Sequence, residues 1–174
     1  MDEHSVVQDM IGEGTGETVT VSTVRFGDIE LAESRILTFP KGLVGLPNAK
    51  RFTFLHDEEC PGLFFWMQSL DDPALAFVVC EPQQFFPSYI VSLSQSEQDE
   101  LGIHSEEEGM VCVILVVPED PAQITANLRG PVVLNVEERR GLQLILAGDD
   151  YPVDAPLFNG QEVEATEGGA ACSS

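Results

Sequence analysis

Apolar positions in this chain either alternate with polar ones or run on for a few residues, and they almost never recur at helical spacing. Val19 to Phe26 alternates β-branched residues and predicts a first strand. Glu30 to Phe39 predicts a second, behind a turn at Gly27-Asp28. Phe52 to His56 alternates again. Leu63 to Met67 and Ala74 to Cys80 are apolar runs on either side of Asp71-Asp72-Pro73. An Asp carboxylate bonds backbone two residues on and a proline fixes φ, so this corner predicts a tight connection between strands. Ala74 to Cys80, unbroken and bounded by turn residues, predicts a strand buried on both faces, and so does Met110 to Val117, which Pro118 ends. Ile124 to Leu128, Val132 to Val136 and Leu142 to Ala147 predict three more strands, with turns at Arg129-Gly130-Pro131 and Glu137 to Gly141. One helix is expected, Gln95 to Leu101. Ser94 and Glu97 have the spacing of a capping box, Leu101 anchors the helix, and Gly102 stops it.

About nine strands and a helix or two make the chain mainly all-β, and the number of continuous apolar runs favours a small barrel-like or two-layer domain. The expected organisation is an acidic disordered arm over residues 1–18, the barrel-like domain over 19–158, and a flexible Gly/Glu/Ala/Ser tail over 159–174. Two loops interrupt the pattern: Asp57 to Gly62 is acidic, while Phe39 to Pro47 holds two prolines and two glycines and cannot be regular. Leu43, Val44 and Leu46 in the second loop are either tucked beneath it or offered outward.

Charge narrows the function. Eight Lys and Arg stand against 30 Asp and Glu, a formal net charge of −22, and no Lys or Arg lies between Arg51 and Arg129. Nucleic-acid affinity rests on Lys and Arg neutralising phosphates, so direct nucleic-acid binding is not expected, whereas a basic partner would be drawn in. The N-terminus lacks the basic and apolar regions of a signal peptide, and no apolar run is long enough to span a membrane. Cys60, Cys80, Cys112 and Cys172 form no paired motif, so a reduced, cytoplasmic setting is expected. His4, His56 and His104 fall on the arm and on loops, and no nucleophile has a base at recognisable spacing. Asp71 and Asp72, being adjacent, would point to opposite faces of a strand and have no His, Cys or Glu at ligand spacing. The expectation is therefore no catalytic residue, no metal and no cofactor.

The order of the loop and strand motifs says more. Phe39-Pro40-Lys41-Gly42-Leu43-Val44-Gly45-Leu46 comes first, then Gln68-Ser69-Leu70-Asp71-Asp72-Pro73-Ala74-Leu75-Ala76-Phe77, then Pro87-Ser88-Tyr89. Asn127-Leu128-Arg129-Gly130-Pro131-Val132-Val133-Leu134-Asn135 follows, and finally Arg140-Gly141-Leu142-Gln143-Leu144-Ile145-Leu146. This series, over residues 24 to 157, closely resembles the flagellar assembly factor family, FliW. Leu46 departs from it, since relatives often carry Phe after the glycine. The resemblance implies a small, barrel-like, non-enzymatic cytoplasmic protein with two partners. One is flagellin. The other is the carbon storage regulator CsrA, an RNA-binding translational repressor dimer, which the free factor sequesters so that flagellin mRNA is translated. Secreted flagellin leaves the factor free, coupling flagellin synthesis to flagellum assembly.

On this reading the partner-binding candidates are Leu43, Val44 and Leu46, because an apolar cluster on a loop is an interface feature, and Asp71 and Asp72, which could pair with basic residues of the repressor. The rival role for both aspartates is turn capping. Asn127 and Asn135 are expected to satisfy backbone groups, and the role of Gln143 is open. The competing functional class is a barrel that binds a small ligand, or performs an unrecognised hydrolysis, in an interior pocket. A polar interior would favour it and an apolar, filled one would not.

Overall fold

A computed structural model describes residues 17–57, 63–105, 109–148 and 150–158. Most of the N-terminal arm, the tail, nearly all of the acidic loop after Asp57, and His4, Cys60 and Cys172 lie outside the described residues. The described residues form eleven strands and one α-helix: β1 (Thr18–Thr23), β2 (Gly27–Ala32), β3 (Leu37–Thr38), β4 (Arg51–His56), β5 (Phe65–Ser69), β6 (Ala76–Cys80), α1 (Gln95–Leu101), β7 (Met110–Val116), β8 (Thr125–Ala126), β9 (Val132–Asn135), β10 (Arg140–Gln143) and β11 (Ala155–Pro156).

Seven of these close into a barrel. The order is β7-β6-β5-β4-β3-β10-β9, and β9 returns to β7 through Met110↔Leu134, Val111↔Val133 and Cys112↔Val132. All neighbours are antiparallel except β3 and β10, which meet in parallel at Thr38 and Arg140. The far end of β7 leaves β9 and pairs instead with β8, which carries β11. Side chains alternate across each strand. One set fills the barrel interior: Phe52 and Phe54, Phe65 and Met67, Val79, Cys112, Val132 and Leu134. The other set lies on the outer face and is covered: Cys80, Val113 and Leu115 by the segments around Tyr89 and Leu157, and Val133 by Leu101 of α1.

Differences from the expected strands have local causes. The stretch from Glu30 to Phe39 does not form one strand. The first turn falls at Val24 to Phe26, where the Thr23 hydroxyl accepts from Phe26 N and donates to Gly27 O. Gly27, at φ +71°, begins β2 rather than belonging to the turn. A short 3-10 turn at Glu33–Arg35 then separates β2, in the hairpin, from β3, in the barrel. This hairpin lies on the outer face of β4 and β5. Phe26 meets Trp66 edge-on at 5.6 Å, and the Arg25 guanidinium stacks 4.3 Å from the Trp66 ring centre. Strand β10 stops at Gln143, short of Ala147, because Pro131 opposite has no N–H to continue the ladder. Leu144 N and Leu146 N still donate to Pro131 O and Arg129 O. In β6 only Val79 and Cys80 are fully buried, and Ala76 to Val78 are half-buried. The end of the domain packs too: Leu157 is buried and Phe158 meets Phe85 edge-on at 5.9 Å.

Helix α1 forms where its capping signals place it. Ser94 Oγ accepts from Glu97 N, Glu97 Oε1 accepts from Ser94 N, and Gly102 turns the chain at φ +78°.

Candidate functional site, an apolar cleft at the Phe39 to Pro47 loop

The sequence Gly42-Leu43-Val44-Gly45-Leu46 folds into a miniature hairpin. Leu43 N donates to Leu46 O at 3.0 Å and Leu46 N to Leu43 O at 2.8 Å. Gly45 supplies φ +81°, as the third position of a type II turn requires. Gly42 is in the left-handed region too, and a Cβ there would stand 2.5 Å from Leu46 O. This geometry sends the three apolar side chains different ways. Leu43, 4% exposed, joins Phe39, Ala49 and Phe52 in the core, whereas Val44 and Leu46 remain 52% and 38% exposed. Leu43 is therefore almost wholly buried and reaches the cleft described below only from its floor, and the loop's outward residues are Val44 and Leu46.

Those two do not stand alone. They border a cleft of about 360 Å³ whose wall also carries Phe77, Ile114, Ile145 and Val153. Ile145 and Val153 are 68% and 54% exposed, so four exposed apolar side chains converge here from three separate segments. Single exposed apolar residues are ordinary, but a contiguous apolar depression with polar groups at its rim marks an interaction site. The polar rim is ordered. Gln143 Oε1 accepts from Val44 N at 2.9 Å while its Nε2 donates to Gly130 O at 3.0 Å, so this one carboxamide ties the loop to the Arg129-Gly130 turn. Asn127 Oδ1 accepts from Arg129 N and Gly130 N and shapes that turn. Asn135 does a similar job elsewhere, donating to Leu101 O at 2.7 Å.

Asp71 and Asp72 lie away from this cleft. Asp71 Oδ2 accepts from Lys50 N and Arg51 N, and its Oδ1 accepts from the Arg51 guanidinium at 3.1 Å. Asp72 Oδ1 accepts from Ala74 N, and Ser69 Oγ accepts from both aspartate N–H groups. The corner is a self-contained capping network. Partial burial pushes the Asp71 carboxyl up, but the two backbone donors and Arg51 outweigh it and hold the group below its ordinary value of 3.8. Asp71→Ala is expected to cost about 1 kcal/mol, the order of a lost capping carboxylate. Because the folded-state pKa is lowered, this contribution is present above the ordinary carboxylate range and is lost as pH falls through the folded value. Denaturant titrations at neutral and acid pH will show wild type and variant converging at low pH.

Among the described residues no three His, Cys, Asp or Glu side chains come together as a metal site. Cys80 and Cys112 are buried free thiols whose protons burial holds on. They belong to opposite faces of the barrel wall. No helix among the described residues is long and apolar enough to cross a membrane.

Sequence reasoning found the loop but missed Ile145 and Val153. Ile145 was read into a strand that stops before it, and Val153 carries no local signal. Only the fold brings them to Val44.

Comparisons with known proteins agree with the architecture. The FliW protein family model matches residues 20–157. The chain is 36% identical over 138 residues to the flagellar assembly factor FliW of Bdellovibrio bacteriovorus, covering 79% of this chain and 78% of the relative. It is 39% identical over 138 residues to flagellar assembly factor FliW 2 of Desulfotalea psychrophila, covering 79% and 89%. A crystal structure of the flagellar assembly factor FliW superposes with a TM-score of 0.76 at 35% identity, covering 83% of this chain and all of that one. The chain belongs to the FliW family of flagellar assembly factors.

Proposed function

We propose that this flagellar assembly factor is a non-enzymatic, cytoplasmic binding protein that takes flagellin at the apolar cleft and, when free of it, binds and antagonises CsrA. The observation that carries the reading is the convergence of Val44, Leu46, Ile145 and Val153 on one cleft. A subunit destined for burial in a polymer carries apolar surface before it assembles, and an apolar depression with a hydrogen-bonded rim is suited to cover such a surface. The acidic balance supports the second partner. A chain of net charge −22 attracts a basic RNA-binding dimer and, once docked, opposes phosphate approach through its field. A ligand-binding or hydrolytic barrel draws no such support. The interior is filled by Phe39, Phe52, Phe54, Phe65 and Met67.

Binding of purified full-length protein to flagellin and to the repressor, separately and together, tests this. Val44→Asp with Ile145→Asp should leave stability within about 0.5 kcal/mol, because both side chains are exposed, and should weaken flagellin binding at least about tenfold. Unchanged flagellin affinity would remove the cleft from the interface. Binding of neither partner by the wild type would remove the function. The effect of the factor on RNA binding by the repressor should fade with added salt if the field is the cause. Equal effects at low and high salt point to steric or conformational blocking instead.

A further inference from the structure

A second, larger cleft of about 760 Å³ shares no lining residue with the first. One wall is Val19 to Ser22 of β1, and no residue of β2 lines it. Strand β1 pairs with β2 alone, in a two-stranded sheet, so its other edge faces this cleft without a strand partner among the described residues. An open edge is a row of unpaired N–H and C=O groups.

The opposite wall is built by register. Thr38 pairs with Arg51 on one side and with Arg140 on the other, so three neighbouring strands carry Arg51, Thr38 and Arg140 in one row on one face. Arg139 joins them at the cleft, giving three of the chain's eight basic residues against two carboxylates, Glu33 and Glu138. Arg51 is engaged by Asp71. The side chains of Arg139 and Arg140 donate to the backbone oxygens of Glu33 and Glu100, and neither has an ion-pair partner among the described residues. Arg139 is also the sole non-glycine among the described residues with a left-handed backbone, at φ +57°. An arginine there is strained relative to glycine, and strain of this kind concentrates at functional positions.

We propose that this cleft is a docking groove for an extended, carboxylate-bearing segment of a partner protein, which adds as a strand to the open edge of β1 and places its acidic side chains on Arg139 and Arg140. Backbone pairing to β1 supplies affinity, and the guanidinium row selects acidic over neutral sequence. On a chain so acidic overall, a cleft where guanidinium and carboxylate balance, and where Arg139 and Arg140 have no ion-pair partner among the described residues, is what would allow an acidic segment to settle there rather than elsewhere.

The test titrates the full chain with a short N-acetylated peptide alternating Glu and Val. Its controls are the same peptide with Gln for Glu, the same peptide N-methylated at alternate backbone positions, and inorganic phosphate. The Glu peptide is expected to protect the amides of Val19 to Ser22 from hydrogen exchange, with the Gln and N-methylated peptides binding about tenfold more weakly. Arg139→Gly keeps the turn, since glycine prefers that conformation, so its thermal stability should equal or exceed wild type while its affinity for the Glu peptide falls about fivefold. Equal binding of the Gln or N-methylated peptide overturns the proposal. So does binding of phosphate alone, which would make the site a simple anion site. Self-association that protects β1 without peptide also overturns it, by making a second copy the occupant. None of these outcomes depends on Val44 or Ile145, so failure here is separable from failure at the apolar cleft.

Discussion

Leu43→Asp is expected to destabilise the protein by about 4 kcal/mol or more, enough to leave little folded protein under mild denaturant. The leucine is 4% exposed and packs with Phe39, Ala49 and Phe52. Removing such a side chain from a core costs about 2–5 kcal/mol by itself, and the replacement brings a carboxylate in among the apolar side chains of Phe39, Ala49 and Phe52. Val44→Asp, one residue away, should change stability by no more than about 0.5 kcal/mol. Of the two placements the sequence leaves open for this loop, the outward one implies that the pair Leu43→Asp and Val44→Asp together would be nearly neutral. The fold corrects this, because the Leu43–Leu46 bridge turns the first of the two inward. Urea unfolding of both single variants decides the matter. A midpoint for Leu43→Asp close to wild type would place Leu43 on the surface after all.

That pair of residues shows what could be read in the sequence and what could not. Elements set by local chemistry were legible. The capping box and terminal glycine fixed both ends of α1, and Asp72 with Pro73 marked the β5–β6 connection. Strands β4, β7 and β9 were placed within a residue or so by alternation and by proline stops. Positions decided by pairing between distant segments were not legible. Nothing local groups Thr38, Arg51 and Arg140, and Arg140 falls in a predicted turn; only register shows that they form one row. Barrel closure depends on Met110 to Cys112 finding Val132 to Leu134 while the far end of the same strand takes a different partner, and neither stretch differs in composition from any other apolar run. The first hairpin was misplaced because Gly27-Asp28 has the composition of a turn, whereas the Thr23 hydroxyl closes the turn earlier. The Asp71-Asp72 pair left two roles open, and hydrogen bonds to Lys50, Arg51 and Ala74 show the capping one.

Gly141→Ala should be the second severe substitution, at about 3 kcal/mol, although it adds a single methyl group to a strand. The position is buried beside the Phe39 ring, and a Cβ built there would come within 2.5 Å of Phe39 Cε2. The ring has no room to retreat. It is fully buried, meets Phe52 edge-on at 5.3 Å, and hangs from a backbone held by the bond from Phe39 N to Lys50 O. Overpacking of a dense core typically costs 1–3 kcal/mol, and a clash against an immobile aromatic belongs at the upper end. The consequence reaches function because Phe39 begins the loop that carries Val44 and Leu46, so any shift of the ring moves one wall of the apolar cleft. On the proposed function, flagellin binding by the folded fraction of Gly141→Ala should therefore weaken too, whereas Asp71→Ala should not alter it. Phe39→Leu supplies the control. The smaller side chain leaves a cavity in the wild-type background and relieves the clash in the Gly141→Ala background, so the double variant should be more stable than the two single losses added together. A double-mutant cycle by urea unfolding will report a coupling of about 1 kcal/mol or more of that sign. Simple additivity would mean that Gly141 is required for its backbone conformation and not for the space it leaves to Phe39.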